Sequence, residues 1–351
     1  MKSIPSALLR WYDKERRILP WREDPTPYHV WISEIMLQQT RVESVKAYYE
    51  RFTARLKDIT ALAQCGEDEL LKLWEGLGYY SRARNLQKAA RIILTEYEGR
   101  LPSDYEELLK LPGIGAYTAG AIASIAYGQA VAAVDGNVLR VLARYLADDR
   151  DIADEKLKRE RKSQIEEILP KGKAGEFNQA MMDLGAMICL PKGAKCKECP
   201  LRKNCRALKE DRVSELPKKK AAKERRIQER TLFVIRYREQ ICIRRRPKSG
   251  LLAGLWELPA VDVQLGKKAA LEAVRELGFE PVSIERLPDS KHIFSHLEWR
   301  MRAYLVRADE LTAEPKGAVL VSPEKIDEEY ALPSAFAAYG TYIRRKKHED
   351  Q

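Results

Sequence analysis

Apolar residues recur with a helical period through most of the first two hundred positions of the chain. Residues 6–19 read as a short amphipathic helix that stops at Leu19-Pro20-Trp21-Arg22, and His29 to about Phe52 keeps a helical pattern throughout. Residues 53–67 read as a further helix and turn. Leu70 to Leu94 reads as two helices split at Gly76-Leu77-Gly78. Ala116 to Tyr127 is a helix made mostly of Ala, Gly, Ile and Ser, so it is able to lie close against its neighbours. Asp135-Gly136-Asn137 then opens the next helix, with Asp135 in the position of an N-cap. From Arg230 the period shortens: TLFVIRY, QICIRRR and LWELPAV read as strands, Lys267 to Gly278 as a helix, and MRAYLVRA and KGAVLVS as strands again. The pattern predicts a mainly α domain over 1–205 and an α+β domain over 230–351. Between them 206–229, with its basic run from Lys218 to Arg226, reads as a linker.

A length of 351 residues also favours two domains over one core. The net charge of +11 points to a polyanionic partner, nucleic acid ahead of membrane, because no strongly basic amphipathic helix is present. No stretch of eighteen apolar residues occurs, and the first residues, MKSIPSALLRWYDKERR, are too polar for the core of a secretion signal. A monomeric cytoplasmic protein, nucleoid-associated if bacterial and without membrane contact, is the expectation.

Three features bear chemistry. Pro112-Gly113-Ile114-Gly115 places a proline and two glycines, both able to take positive φ, ahead of a helix start, which suits an anion cradle of backbone amides. Glu34 sits among Trp31, Ile32, Ile35, Met36 and Leu37. Buried there, its pKa would rise towards neutrality and make it a proton donor; turned to the wet face of the helix, it would be an ordinary surface acid. Cys189, Cys196, Cys199 and Cys205 follow the spacing C-x6-C-x2-C-x5-C, which reads as metal ligation by four thiolates, equally suited to zinc or to an iron-sulfur cluster. Lys192, Lys195, Lys197, Arg202 and Lys203 are interleaved with them.

The block LPGIGAYTAGAIASIAYG closely resembles the helix-hairpin-helix, here about 105–128, of the DNA glycosylase superfamily that includes endonuclease III. VDGNVLRVLAR resembles the segment with that superfamily's catalytic aspartate, and the cysteine spacing after FNQAMMDLGAMIC matches its [4Fe-4S] loop, here 189–205. PWREDPTPYHVWISEIMLQQTRVESV resembles the adenine DNA glycosylase branch, the MutY family. The resemblance implies a helix-hairpin-helix glycosylase domain with a [4Fe-4S] cluster, followed by a Nudix-like domain. It also implies excision of adenine opposite 8-oxoguanine or guanine in double-stranded DNA.

Site roles follow from the same resemblance. Glu34 would protonate N7 of the extruded adenine, and Asp135, kept ionised at a helix N-terminus, would stabilise the sugar cation. Gln39 would enter the DNA helix, Leu37 would lie near it, and Trp21 and Arg22 would border the base pocket. Tyr79, with Leu77, belongs to GLGYY-x-RA, the intercalating turn; Gly113 and Gly115 would grip a phosphate. Tyr117 stands where glycosylases that also cut the strand carry a lysine, so the implied enzyme is monofunctional, and Tyr117 would hydrogen-bond in the pocket near Asp135. Gln179 occupies the place of a base-contacting glutamate found in some members. Phe294-Ser295-His296 matches the F-S-H loop that reads 8-oxoguanine. The Nudix-like helix runs AALEAVRELGF without the paired glutamates that bind Mg²⁺, which argues against nucleotide pyrophosphohydrolysis. A glycosylase/lyase for oxidised pyrimidines and a catalytically idle damage binder are the other readings, opposed by Tyr117 and by the intact acids respectively.

Overall fold

The computed structural model describes residues 1–220, 224–315 and 317–344. Residues 221–223 of the expected linker, and 316 and 345–351 of the expected second domain, lie outside the described residues. In chain order the helices up to the linker are α1 (Ile4–Glu15), α2 (Pro20–Glu23), α3 (Pro27–Leu37), α4 (Val42–Arg55), α5 (Ile59–Gln64), α6 (Glu67–Leu73), α7 (Ser81–Glu96), α8 (Tyr105–Leu109), α9 (Ala116–Ile125), α10 (Gly136–Leu146), α11 (Glu155–Glu166), α12 (Ala174–Met187) and α13 (Arg206–Lys209). The described residues form two compact units, 1–65 with 81–220, and 66–80 with those from 224 on.

The first unit is helical. Ile4, Leu8 and Tyr12, one turn apart on α1, are buried against Val138, Val141 and Leu142 of α10 and Phe177, Met181 and Leu184 of α12. Glycine permits the close helix contacts that the small-residue pattern predicts. A Cβ on Gly120 of α9 would collide with the Ala132 carbonyl, and one on Gly185 of α12 would lie 2.6 Å from the Asn137 Cβ, so α9 and α12 are pressed onto the segment bearing Asp135.

The helical pattern from His29 to Phe52 is interrupted. Thr26 caps α3, accepting from the His29 amide at 3.3 Å, but α3 ends at Leu37 and α4 begins at Val42. Gln39 takes φ 58°, a left-handed conformation that breaks a helix although the side-chain period continues across it. Arg82 of α7 stabilises the break: its Nη1 donates to the carbonyls of Ile35, Met36 and Gln38 at 2.7–2.9 Å, the groups a helix end leaves unpaired.

The second unit is built on a sheet of β1 (Arg226–Tyr237), β2 (Gln240–Arg245), β3 (Trp256–Glu257), β4 (Ala260–Val261), β5 (Phe279–Ile293), β6 (Leu297–Leu311) and β7 (Ala318–Val321), with helices α14 (Lys267–Glu276), α15 (Pro323–Glu329) and α16 (Gly340–Arg344). Among the described residues the strand order is β3-β2-β1-β6-β5, with β4 on β1 and β7 on β2. β1 and β6 run parallel from Arg226↔Leu297 to Tyr237↔Ala308. The unbroken apolar run of β1 is explained by burial on both faces: Leu232 and Val234 pack with Trp299, Met301 and Phe336, whereas Phe233 and Ile235 pack with Val274 of α14, Phe279 and Tyr304.

β5 escaped the hydrophobic pattern. It pairs along the path only with β6, carries Pro281 and Pro288, and shifts register near both, as a polar edge strand does. The segment Gly66–Tyr80 is held in this unit by α6: Lys72 Nζ bonds Glu75 and the carbonyls of Ile326 and Tyr330, and Glu75 accepts from the Leu332 amide at 2.7 Å.

Candidate active site

Glu34 lies on the inward side of α3 with 6% of its surface exposed. Tyr117, in the first turn of α9, donates its hydroxyl hydrogen to Glu34 Oε2 at 2.5 Å, and Met182 Sδ is 3.0 Å from the same hydroxyl. Burial pushes the Glu34 carboxyl up to about 7; the Tyr117 bond and Arg22 oppose the rise and the negative charge of Asp135 adds to it. Burial also drives the Tyr117 hydroxyl well above its ordinary value, so this phenol stays protonated and is a permanent donor to Glu34.

Asp135 caps α10 as its sequence position predicts. Its Oδ1 accepts from the Val138 amide at 2.8 Å and its Oδ2 from Asn137 Nδ2 at 2.8 Å, while Asn137 Oδ1 accepts from Arg140 Nη2 at 2.8 Å. Burial raises the Asp135 carboxyl, and the bonds from Val138 and Asn137 counter it without reversing it. The expectation that a helix N-terminus alone would fix its charge therefore left out desolvation. Tyr117 bonds Glu34, although Asp135 is close enough to act on the phenol electrostatically.

Glu34, Tyr117 and Asp135 line one cavity of about 710 Å³, together with Trp21, Arg22, Leu37, Gln39 and Gln179. Eight residues singled out in the sequence are thus gathered from five stretches of chain. The volume is ample for an extruded nucleotide. Sequence reasoning missed Gln38, whose amide donates to Thr118 Oγ1 at 3.3 Å; the pair Asn137 and Arg140; and Asp183, fully buried on α12 between Arg17 and Arg22. Asp183 was findable, because an acid inside MMDLGAM raises the same question as Glu34 inside WISEIML.

The hairpin turn departs from its expectation at one glycine. Gly113 has φ +81°, and a Cβ there would lie 2.8 Å from that of Asn85; Gly115 is extended at φ −96° and needs no glycine for its backbone. In the second unit Gly76, Gly78 and Tyr79 all have positive φ. Tyr79 is 45% exposed and Leu77 only 7%, so Tyr79 is the side chain this turn presents and Leu77 is not. Phe294-Ser295-His296 forms the tight turn between β5 and β6, closed by the Phe294 amide on the Leu297 carbonyl at 2.8 Å. Phe294 packs edge-on against His292 and Trp299, and Ser295 and His296 are exposed.

Cys189, Cys196, Cys199 and Cys205 ring a small cavity of about 30 Å³ walled by Val141, Leu184, Ile188 and Leu201, and none is in a disulfide. Among the described residues no set of His, Cys, Asp or Glu is drawn together tightly enough to hold a metal ion. Buried Arg144, also missed in the sequence, secures the loop: its guanidinium donates to the carbonyls of Leu190, Pro191 and Leu216 and lies 3.3 Å from Cys189 Sγ. Burial raises the Cys199 thiol to about 11, with the three other cysteines adding to the rise. Four cysteine sulfurs around one small cavity are a donor set for a cationic group, which would have to hold them as thiolates against the rise that burial causes.

Residues 32–167, which include Glu34, Tyr117 and Asp135, match the family model described as HhH-GPD superfamily base excision DNA repair protein, and residues 231–340 match the NUDIX domain. The human protein named adenine DNA glycosylase is 35% identical over 91% of this chain and 70% of its own length. The chain belongs to the adenine DNA glycosylase family. Another member, from Buchnera aphidicola subsp. Schizaphis graminum, is 40% identical over 74% of this chain and 75% of its own. A thermostable thymine-DNA glycosylase of known structure superposes with a TM-score of 0.54 at 32% identity, covering 58% of this chain and 94% of the other. The protein is a base excision repair DNA glycosylase with a helical glycosylase fold and a C-terminal Nudix domain, and its partner is DNA. Among the described residues no helix is long and apolar enough to cross a membrane.

Proposed function

We propose that the protein excises adenine paired with 8-oxoguanine or guanine in double-stranded DNA, leaving an abasic site without a lyase step. The observation that carries this reading is the convergence of Glu34, Tyr117 and Asp135 on one cavity, with the two carboxyls in different environments. Breaking an N-glycosidic bond needs a proton on the departing base and a negative charge beside the cationic sugar. Glu34, protonated in part near neutrality, supplies the proton to N7, and Tyr117 orients it. Asp135 carries the negative charge, as its effect on Glu34 requires, and faces the oxocarbenium-like sugar. Water, which adds to C1′ and loses a proton, completes the abasic site, and no amine is asked to attack: Tyr117 stands in the place of the lyase lysine, and a phenol forms no Schiff base.

Trp21, Arg22, Leu37 and Gln179 border the base, Gln39 and Tyr79 enter the duplex, and the amides at Gly113 and Gly115 hold a backbone phosphate. Phe294, Ser295 and His296 meet the opposite base. Cys189, Cys196, Cys199 and Cys205 would hold a [4Fe-4S] cluster, which fastens a loop rich in lysine and arginine that meets further phosphates. The chemistry lies within 1–205, outside the segment 66–80 that goes with the second unit; the link within 206–229 ends where β1 begins at Arg226, and the domain from there on reads the lesion; the protein works as a cytoplasmic monomer, on the nucleoid if bacterial. Chromatographic detection of free adenine from a duplex with adenine opposite 8-oxoguanine tests the core of this reading. Wild type should release it and Glu34→Gln should lose at least about a hundredfold in single-turnover rate. A Glu34→Gln variant as fast as wild type would remove Glu34 from the chemistry.

A further inference from the structure

Asp183 has no exposed side-chain surface, yet it is an acid in the middle of an apolar helix. Two guanidinium groups enclose it. Arg22 grips it with both terminal nitrogens, Nη1 to Oδ2 at 2.8 Å and Nη2 to Oδ1 at 3.0 Å; Arg17 Nε reaches Oδ1 at 2.9 Å and Nη2 the same oxygen at 2.5 Å. Arg22 is fixed further by the Arg17 carbonyl at 3.2 Å and by the Tyr12 ring, 5.7 Å below its guanidinium carbon. A buried ion network of this kind is weak as a source of stability, since apolar side chains of the same volume would pack as well. What it does provide is a planar, bidentate hold on one guanidinium that lines the cavity with Glu34.

We propose that Asp183 is a positioning residue for the glycosylase reaction, orienting and partly neutralising Arg22 so that the cationic field on Glu34 stays weak. The inference rests on the reading of Glu34 as the proton donor. The groups that face Glu34 are Tyr117 from α9, Asp135 from the start of α10 and Arg22 from α2. The other charges on the cavity wall are Arg17, which shares Asp183, and Arg140, which is engaged by Asn137 and the carbonyls of Gly185 and Cys189. Burial raises Asp183, but the bonds and charges of Arg22 and Arg17 outweigh it and hold the carboxyl below its ordinary value, so Asp183 is the fixed anion of the cluster. Without that anion two arginines face the cavity uncompensated, and Glu34 gives up its proton more readily.

The test is the pH dependence of single-turnover base release by the full-length protein. Asp183→Asn should move the alkaline limb down by about one pH unit, a tenfold loss above the limb with the acid plateau little changed. Arg22→Met should move the limb up, and the double variant should bring it back towards wild type. A uniform loss at every pH, with the limb in place, would make Asp183 merely structural and overturn the proposal. Should Asp183→Asn fail to fold, Arg22→Met decides alone: an upward shift supports the proposal and an unmoved limb overturns it. A wild type with no alkaline limb, or a fully active Glu34→Gln variant, would instead sink the reading of Glu34 on which the proposal rests.

Discussion

Glu34 illustrates how little one residue's neighbours in sequence say about its burial. The apolar flank WISEIML was compatible with a wet-face glutamate as well as with a buried acid; α3 turns it inward, beside Tyr117 eighty-three positions away. Long-range packing of that kind has no local signal. Asp135 was easier, because an acid before Gly-Asn at a helix start is an N-cap by its own chemistry. The burial of Glu34 costs stability in a direction fixed by the proton. Its carboxyl titrates at about 7 in the folded state against 4.5 ordinarily, so the folded protein holds the proton longer and stability falls as pH rises between those values. A rise from 4.5 to about 7 corresponds to roughly 3 kcal/mol. Glu34→Gln, which carries no charge, should therefore be more stable than wild type above neutrality while inactive, and about equal to it below pH 4.5. Urea unfolding of both proteins across this range checks the crossover; a gap that does not grow with pH would contradict it.

At the scale of elements, strongly periodic or punctuated segments were legible. The split at Gly76-Leu77-Gly78 and the small-residue helix after the hairpin both stand where the pattern puts them. The break between α3 and α4 was not, because the determinants are a left-handed Gln39 and an arginine, Arg82, brought from α7. β5 was missed for the opposite reason: an edge strand needs little hydrophobicity and tolerates proline. The hairpin turn gives a prediction at this scale. Gly113→Ala must either leave φ +81° or force its Cβ against Asn85, a strain of about 1–3 kcal/mol at the turn proposed to hold a phosphate. Duplex affinity should drop roughly tenfold or more by that conversion, with little change in the rate of base release once the enzyme is saturated. Gly115→Ala, at an extended position with open space, should affect binding much less. Fluorescence anisotropy titrations of the two variants make the comparison, and equal losses would contradict it.

For the whole molecule, the change of hydrophobic period disclosed a helical and an α+β part, the resemblance named their folds, and the matches to both family models agree with them. The membership of Gly66–Tyr80 in the second compact unit was not legible, because it depends on Lys72 and Glu75 finding backbone partners more than two hundred and fifty positions away. The clustering of the four cysteines was visible in the sequence, whereas Arg144, which ties their loop to α10, reads there as one more basic helix residue. The purified protein should contain iron and acid-labile sulfide in equal amounts. Cys199→Ser should lose both together with duplex binding; zinc in place of iron would contradict the cluster. The central claim, monofunctional excision of mispaired adenine, is tested most directly with end-labelled duplexes carrying adenine opposite 8-oxoguanine, guanine or thymine, each analysed with and without hot alkali. Cleavage of the adenine strand in the first two duplexes, and only after alkali, is the predicted result. Strand scission without alkali would contradict the reading of Tyr117, and tight binding with no adenine released from any duplex would contradict the claim as a whole.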